Sequence, residues 1–177
     1  TIKLKDFTQS KQLHKELSTP AYNDSYWTNI YSTLQSIDEY KMDSIYDMFS
    51  NIKIERKLNH YEFLEVIITF IQDIPYAYIE DNDCAELPCA GNIKFGVQSP
   101  IEFMGNLKGD CDTRTLFAHQ VLSYFGYDVV ILNSARYLHS MLGIALRFTG
   151  NYKSYMGKPY YFLELTAKNW EPGHLAP

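Results

Sequence analysis

No apolar run in this chain approaches the roughly 18 residues of a membrane span, and no cluster of Lys and Arg marks a surface for a phosphate backbone or an anionic lipid. Its 16 basic residues stand singly against 21 acidic ones, for a net charge of -5, which argues against nucleic acid or a membrane surface as a partner. The opening Thr1-Ile2-Lys3-Leu4-Lys5-Asp6 has neither region of a signal peptide. Its first residue is not methionine, as expected of a processed or trimmed piece. Internal repeats, low-complexity tracts and interdomain linkers are lacking too, so residues 1–177 read as one domain, with a helical part over 1–58 and a core over 60–170. A chain of this length buries about two-thirds of the surface its unfolded form exposes, and needs neither metal nor disulfide to fold.

Cysteine is scarce. Cys84 and Cys89 stand close in one stretch and can pair, which leaves Cys111 as the odd one of three. A pair would suit an oxidising compartment, periplasmic or secreted, whereas two reduced thiols would not require one. What the chain has in quantity is aromatic and aliphatic side chains: 46% of its residues are hydrophobic and 15 are tyrosine, a composition that packs rather than one that stays disordered.

Apolar residues at three-and-four spacing predict helices over 8–17, from Ser25 through Ile37, around 45–52, and over 60–72, the last more apolar and ended by Pro75. Residues 73–98 have no sustained period and read as a long loop, the kind that is functional or disordered in compact domains. Glu80, Asp81 and Asp83 within it lack the glycine and distal glutamate of a calcium loop, so a solvated acidic turn is the better reading. Ser99-Pro100-Ile101-Glu102 is a capping box with proline at the first helical position. Beyond Tyr127 the period falls to two, predicting strands over 127–132, 138–148 and 160–165, with Asn133-Ser134 between the first two. Helices followed by strands imply an α+β fold.

The chemistry centres on Gly109-Asp110-Cys111. From Cys111 a helical pattern of Leu116, Phe117, Val121, Leu122 and Phe125 runs to Gly126, so the cysteine begins a helix, where free N–H groups and the helix dipole favour a thiolate. Such a cysteine is either a nucleophile or a small residue that opens a core helix. A nucleophile needs a base, and the base an orienting partner. His119 lies eight residues along the same helix, about 12 Å away. His14 falls on an outer helix, His60 at the start of the apolar one and His174 in the tail. His139 begins a strand whose small-residue face, with Met141, Gly143 and Ala145, is expected to meet the helix end. Glu164 is a carboxylate within an apolar strand and needs a partner. His139 supplies one if the two strands are antiparallel neighbours, and a salt bridge elsewhere is the alternative.

The blocks Phe70-Ile71-Gln72-Asp73-Ile74-Pro75-Tyr76, Ser99-Pro100-Ile101-Glu102-Phe103, Lys108-Gly109-Asp110-Cys111-Asp112, Gly126-Tyr127-Asp128-Val129-Val130, His139-Ser140-Met141-Leu142-Gly143-Ile144 and Phe162-Leu163-Glu164-Leu165-Thr166 follow one another in this chain. In that order the chain resembles the transglutaminase-like superfamily over about residues 60–170, and looks like a bacterial member of it. The resemblance implies a papain-like Cys-His-acid triad, in which Cys111 is the nucleophile, His139 the base and acid, and Glu164 the orienting acid. The family more often has aspartate followed by proline and threonine where this chain has Glu164-Leu165-Thr166. Gln72 is the candidate second oxyanion donor, with the capping of a buried helix end as its alternative role.

The implied activity is acyl transfer on an amide, without cofactor or metal: hydrolysis of a peptide or isopeptide bond in a peptide or protein substrate. Protein cross-linking and a non-catalytic partner-binding domain are the other two readings. Cross-linking calls for a covered, apolar tunnel at the cysteine. Trp170, Tyr160 and Tyr161 are the aromatics available for one, while the polar 73–98 stretch and the Pro-Gly-rich end favour an open cleft.

Overall fold

The computed structural model describes residues 2–79 and 89–175, with only the backbone of Cys89 and Ala90, and has a mixed α+β architecture. Six α-helices are described: α1 (Leu4–Glu16), α2 (Tyr26–Ser36), α3 (Asp43–Glu55), α4 (His60–Asp73), α5 (Pro100–Asn106) and α6 (Cys111–Tyr124). A short parallel pair, β1 (Tyr78–Ile79) and β2 (Cys89–Ala90), lies between α4 and α5. The main sheet is antiparallel and ordered β3-β4-β6-β5, from β3 (Val129–Ser134), β4 (His139–Ile144), β5 (Tyr152–Tyr155) and β6 (Lys158–Leu163).

α6 is the centre of the molecule. Thr113, Arg114, Thr115, Leu116, Phe117, Ala118, Val121 and Leu122 are all buried on it, so it is enclosed on every side rather than amphipathic. It contacts α2, α4 and α5 as well as β3 and β4. Phe117, Val121 and Leu122 join Phe63, Ile67 and Ile71 of α4 and Leu142, Ile144 and Leu163 of the sheet in the principal core, while Leu116 packs with Ile30, Tyr31 and Leu34 of α2. Its first turn is fixed by Asp110, whose carboxylate accepts from the Thr113 N–H at 3.1 Å, an N-cap. Gly109 just before it has no room for a side chain, since a Cβ there would lie 2.9 Å from Phe103 and from Thr113.

Arg114 is fully buried, and no carboxylate pairs with it among the described residues. Its guanidinium instead donates to four backbone carbonyls: Nε to Gly109 at 2.9 Å, Nη1 to Ile71 at 2.8 Å and to Leu165 at 3.0 Å, and Nη2 to Ile74. One side chain thus ties the end of α4, the turn before α6 and the segment after β6 to a single point.

The expected elements are present with shifted bounds. The capping box at Ser99 and Glu102 forms, and Asn59 and Glu62 make a second one at α4. Asn133 and Ser134 do not separate two strands. They end β3, paired with Ser140 and His139, and the connection is made by 135–138, which carry none of the usual turn residues except a left-handed backbone at Leu138. A fourth strand, β5, was not expected, because 152–155 is exposed throughout and shows no burial alternation. Met156 and Gly157, both at positive φ, close it onto β6 as a two-residue hairpin.

Two placements correct the expectations. His14 is not on an outer surface: it is buried, with Nδ1 2.6 Å from Glu102 Oε2, because α1 docks on the N-terminus of α5 through polar groups. The face of β4 that meets α6 is the one with Ser140, Leu142 and Ile144, since the larger apolar side chains are those buried against the helix. Gly143 instead lies among Val130, Leu132 and Tyr160. The Cys84–Cys89 pairing and the acidic turn at 80–83 lie outside the described residues.

Replacing Arg114 by Lys keeps the charge but gives a single ammonium in place of a planar fork, so carbonyls now bonded lose donors in the interior. The expected cost is about 2–4 kcal/mol, read as a lower denaturant midpoint at constant slope.

Candidate functional site

The Arg114 hub fixes the segments next to Cys111 and Glu164, and pairing of β4 with β6 brings His139 to them. Cys111 is the first residue of α6 and buried. His139 is the first residue of β4, and Glu164 is the first residue beyond β6. β4 and β6 are antiparallel neighbours, with Leu142 opposite Leu163 and Ile144 opposite Tyr161. Continued by one step, that register sets Glu164 opposite Met141, on the side of the strand that carries His139.

The imidazole of His139 turns Nε2 to Glu164 Oε2 at 2.7 Å, with the Cys111 side chain as its other neighbour. Interaction with Cys111 and then the hydrogen bond with Glu164 raise the imidazole to about 10, against the opposing effect of burial. Glu164 feels burial most, which would raise it. The bonds from His139 and Thr166 outweigh burial and hold the carboxylate down at about 2. The site therefore favours an imidazolium between the Cys111 sulfur and a carboxylate.

Glu164 is longer by a methylene than the aspartate expected from the resemblance, and the geometry accommodates the difference by curling the side chain back. Its Oε1 accepts from the N–H of Leu165 and of Thr166, each at 2.9 Å, and from the Thr166 hydroxyl at 2.6 Å. Those contacts engage backbone donors that a longer β6 would have put into the ladder, which is why the strand stops at Leu163 instead of running to 165.

Gln72 is buried, and its amide is engaged away from the sulfur. Its two amide hydrogens go to the carbonyl oxygens of Glu164 at 2.9 Å and Trp170 at 3.0 Å, so it braces the acid-bearing segment instead. Trp170 lines a cleft of about 460 Å3 with Gln72, Tyr61 and Phe148, and neither Cys111 nor His139 belongs to that lining. Tyr160 is buried, its hydroxyl donating to Asp128 at 2.9 Å, and Tyr161 packs against Phe148 and Tyr152. These aromatics therefore do not cover the thiol.

Sequence reasoning missed the polar groups that flank the sulfur. Asp112 Oδ1 accepts from the hydroxyls of Tyr31, at 2.5 Å, and Ser140, while its Oδ2 lies 3.9 Å from Cys111 Sγ. Asn133 donates in turn to the Tyr31 hydroxyl at 3.0 Å. Asp110 sits just behind, and burial pushes it up to about 7 despite the Thr113 N–H. Tyr76 is the other missed residue. It bridges to Gly109, with the Ala77 N–H donating to the Gly109 carbonyl at 3.2 Å, and burial and the neighbouring Cys111 and Asp110 hold its phenol above the ordinary value. Its place directly after Pro75, in a block already singled out, was the available signal.

Among the described residues, no three His, Cys, Asp or Glu side chains converge as a metal-ligand set, and no helix is long and apolar enough to cross a membrane. No family model matches the chain, and comparisons with curated proteins and with solved structures give no match either.

The raised imidazole and the lowered carboxylate set opposite pH limits. The His139 contribution to stability is complete below its unfolded value of about 6.5 and is lost as pH rises through about 10. The Glu164 contribution is present above 4.5 and is lost as pH falls through about 2. Followed by NMR, the His139 ring should titrate near pH 10, and Glu164→Gln should lower that midpoint by about one pH unit or more. A midpoint near 6.5 in the parent would show that the ion pairs do not form in solution.

Proposed function

We propose that this protein is a thiol enzyme with a transglutaminase-like core, hydrolysing an amide in a peptide or protein through a thioester on Cys111. The observation that carries the reading is the Cys111–His139–Glu164 relay, in which the imidazole reaches the sulfur on one side and the carboxylate on the other. The α+β architecture, with a cysteine-bearing helix packed on an antiparallel sheet that carries the histidine, supports it.

In this mechanism the Cys111 thiolate adds to the amide carbonyl carbon, forming a C–S bond. His139 gives its proton to the departing nitrogen as the C–N bond breaks, leaving the thioester and a free amine. The neutral imidazole then takes a proton from water as the water oxygen attacks the thioester, and the acid and the thiolate are released. Glu164 keeps the ring oriented and stabilises its charged form at each stage. Hydrolysis is favoured over transfer by the surroundings of the sulfur. Asp112, Ser140, Tyr31 and Tyr76 present polar groups there, and a polar wall admits water to the thioester.

The test is to offer a peptide library with and without a labelled primary amine and to identify the trapped acyl-enzyme by mass. Cleaved product should dominate, with the acyl group on Cys111, and Cys111→Ala and His139→Ala should each lower turnover by at least about 1,000-fold. Predominant amine-tagged product would replace hydrolysis by cross-linking. No turnover from a protein whose Cys111 is still alkylated by iodoacetamide would favour a partner-binding domain.

A further inference from the structure

The carboxylate of Asp112 stands beside the nucleophile, and the triad makes no use of it. It is half-buried, and no Lys, Arg or His pairs with it among the described residues. Left alone, a negative group next to a sulfur that has to become a thiolate works against the reaction. Yet three elements converge to hold it there. Its Oδ1 accepts from the Tyr31 hydroxyl of α2 at 2.5 Å and from the Ser140 hydroxyl of β4, both side chains buried, and Asn133 of β3 donates to the Tyr31 oxygen at 3.0 Å. With Oδ1 fixed in this way, Oδ2 is turned to Cys111 Sγ at 3.9 Å and bonds to nothing else among the described residues.

An anion oriented by neutral donors, with its second oxygen beside the reacting atom, suits a positively charged group on the substrate. We propose that Asp112 is the specificity residue of the thiol site: Oδ2 receives the α-ammonium group of an N-terminal residue whose own carbonyl Cys111 attacks. The substrate is then an aminoacyl amide with a free amino group. The proposal deepens the thiol-enzyme reading above and rests on it.

The distance selects the α position. A carbonyl carbon ready for attack lies about 3–3.5 Å from the sulfur, and an ammonium hydrogen-bonded to a carboxylate lies about 2.8 Å from its oxygen. With Sγ and Oδ2 3.9 Å apart, a substrate that meets both from the same side has its ammonium nitrogen and its carbonyl carbon within about 4 Å of each other. An α-amino nitrogen, bonded to the carbon next to the carbonyl, meets that limit in any conformation. A lysine ammonium, at the end of a flexible stem, meets it only by folding back on its own backbone at a cost in rotamer entropy. Once bound, the ammonium offsets the carboxylate beside the sulfur, so the substrate itself removes the charge that opposes attack. It takes no part in bond making: the C–S bond forms, the C–N bond breaks and His139 protonates the leaving nitrogen as above, while the ammonium keeps its protons.

The experiment compares alanine p-nitroanilide, N-acetylalanine p-nitroanilide and Nα-acetyllysine p-nitroanilide on the full chain at about pH 7, where an ordinary α-amino group is mostly protonated. By kcat/KM the free alanine anilide should exceed its acetylated form about 30-fold, and the acetyllysine anilide should exceed that form by less than about threefold. Asp112→Asn keeps an oxygen for the Tyr31 and Ser140 hydroxyls but removes the charge. It should bring the two alanine substrates within about threefold of each other, while iodoacetamide, a neutral probe, alkylates Cys111 at the parent rate or faster. A parallel fall with both alanine substrates and with iodoacetamide would mark a structural residue and overturn the proposal. So would equal rates for the alanine pair in the parent, a preference that survives Asp112→Asn, or a larger gain with acetyllysine than with free alanine. Each of these leaves the thiol-enzyme reading in place, as does failure of all three anilides while the peptide library is cleaved, which overturns the proposal alone. Failure of the library as well overturns both. Should Asp112→Asn not fold, Asp112→Ser has to show the same loss of preference, and the parent's own ratios decide without either variant.

Discussion

The Arg114 guanidinium on its four carbonyls is the interaction on which the rest of the structure depends. A cation of this size is placed in the interior at considerable cost unless every donor finds a partner. Here the partners are backbone oxygens of Ile71, Ile74, Gly109 and Leu165, at a helix end, a turn and a strand end. Because the fork is planar and rigid, it sets distances among three segments far apart in the chain, and two of them directly adjoin Cys111 and Glu164.

That hub explains how a site of three chemical groups reaches workable geometry without a metal-ligand set among the described residues. The helix start supplies the cysteine with unpaired N–H groups, the strand start gives the imidazole access to two partners, and the strand end frees Glu164 to curl. The curl turns a side chain one methylene too long for the pattern it resembles into one with three local donors on a single oxygen. The remaining oxygen is left to the histidine alone, which fixes the ring more firmly than a freely rotating glutamate could.

Around the sulfur the structure adds negative and hydroxylic groups rather than apolar ones. Asp112 is held by Tyr31 and Ser140 beside the thiol, and Asp110 caps the helix behind it. Two acids thus stand beside the sulfur, and the raised imidazole of His139 is the positive group that faces them. The aromatic cover that a water-excluding tunnel requires is placed elsewhere, on the far strands and in the cleft lined by Trp170.

Local signals in the sequence were enough for the helices, for the cap at Ser99 and for Cys111 at a helix start, because periodicity and capping act over a few neighbouring residues. The antiparallel adjacency that joins His139 to Glu164 was legible only as a condition, since alternation places a side chain on a face without saying which strand lies beside it. β5 gave no signal because it buries nothing, and the turn at 135–138 gave almost none because its residues are ordinary ones. The engagement of Gln72 on two carbonyls, the buried place of His14, the four-carbonyl role of Arg114 and the approach of Tyr76 to Cys111 were decided by the tertiary structure alone. Apart from the Arg114 bond to Gly109, these join residues dozens of positions apart, and a contact of that span depends on how whole elements pack, whereas helix caps and burial periods are settled by the chain's immediate neighbours.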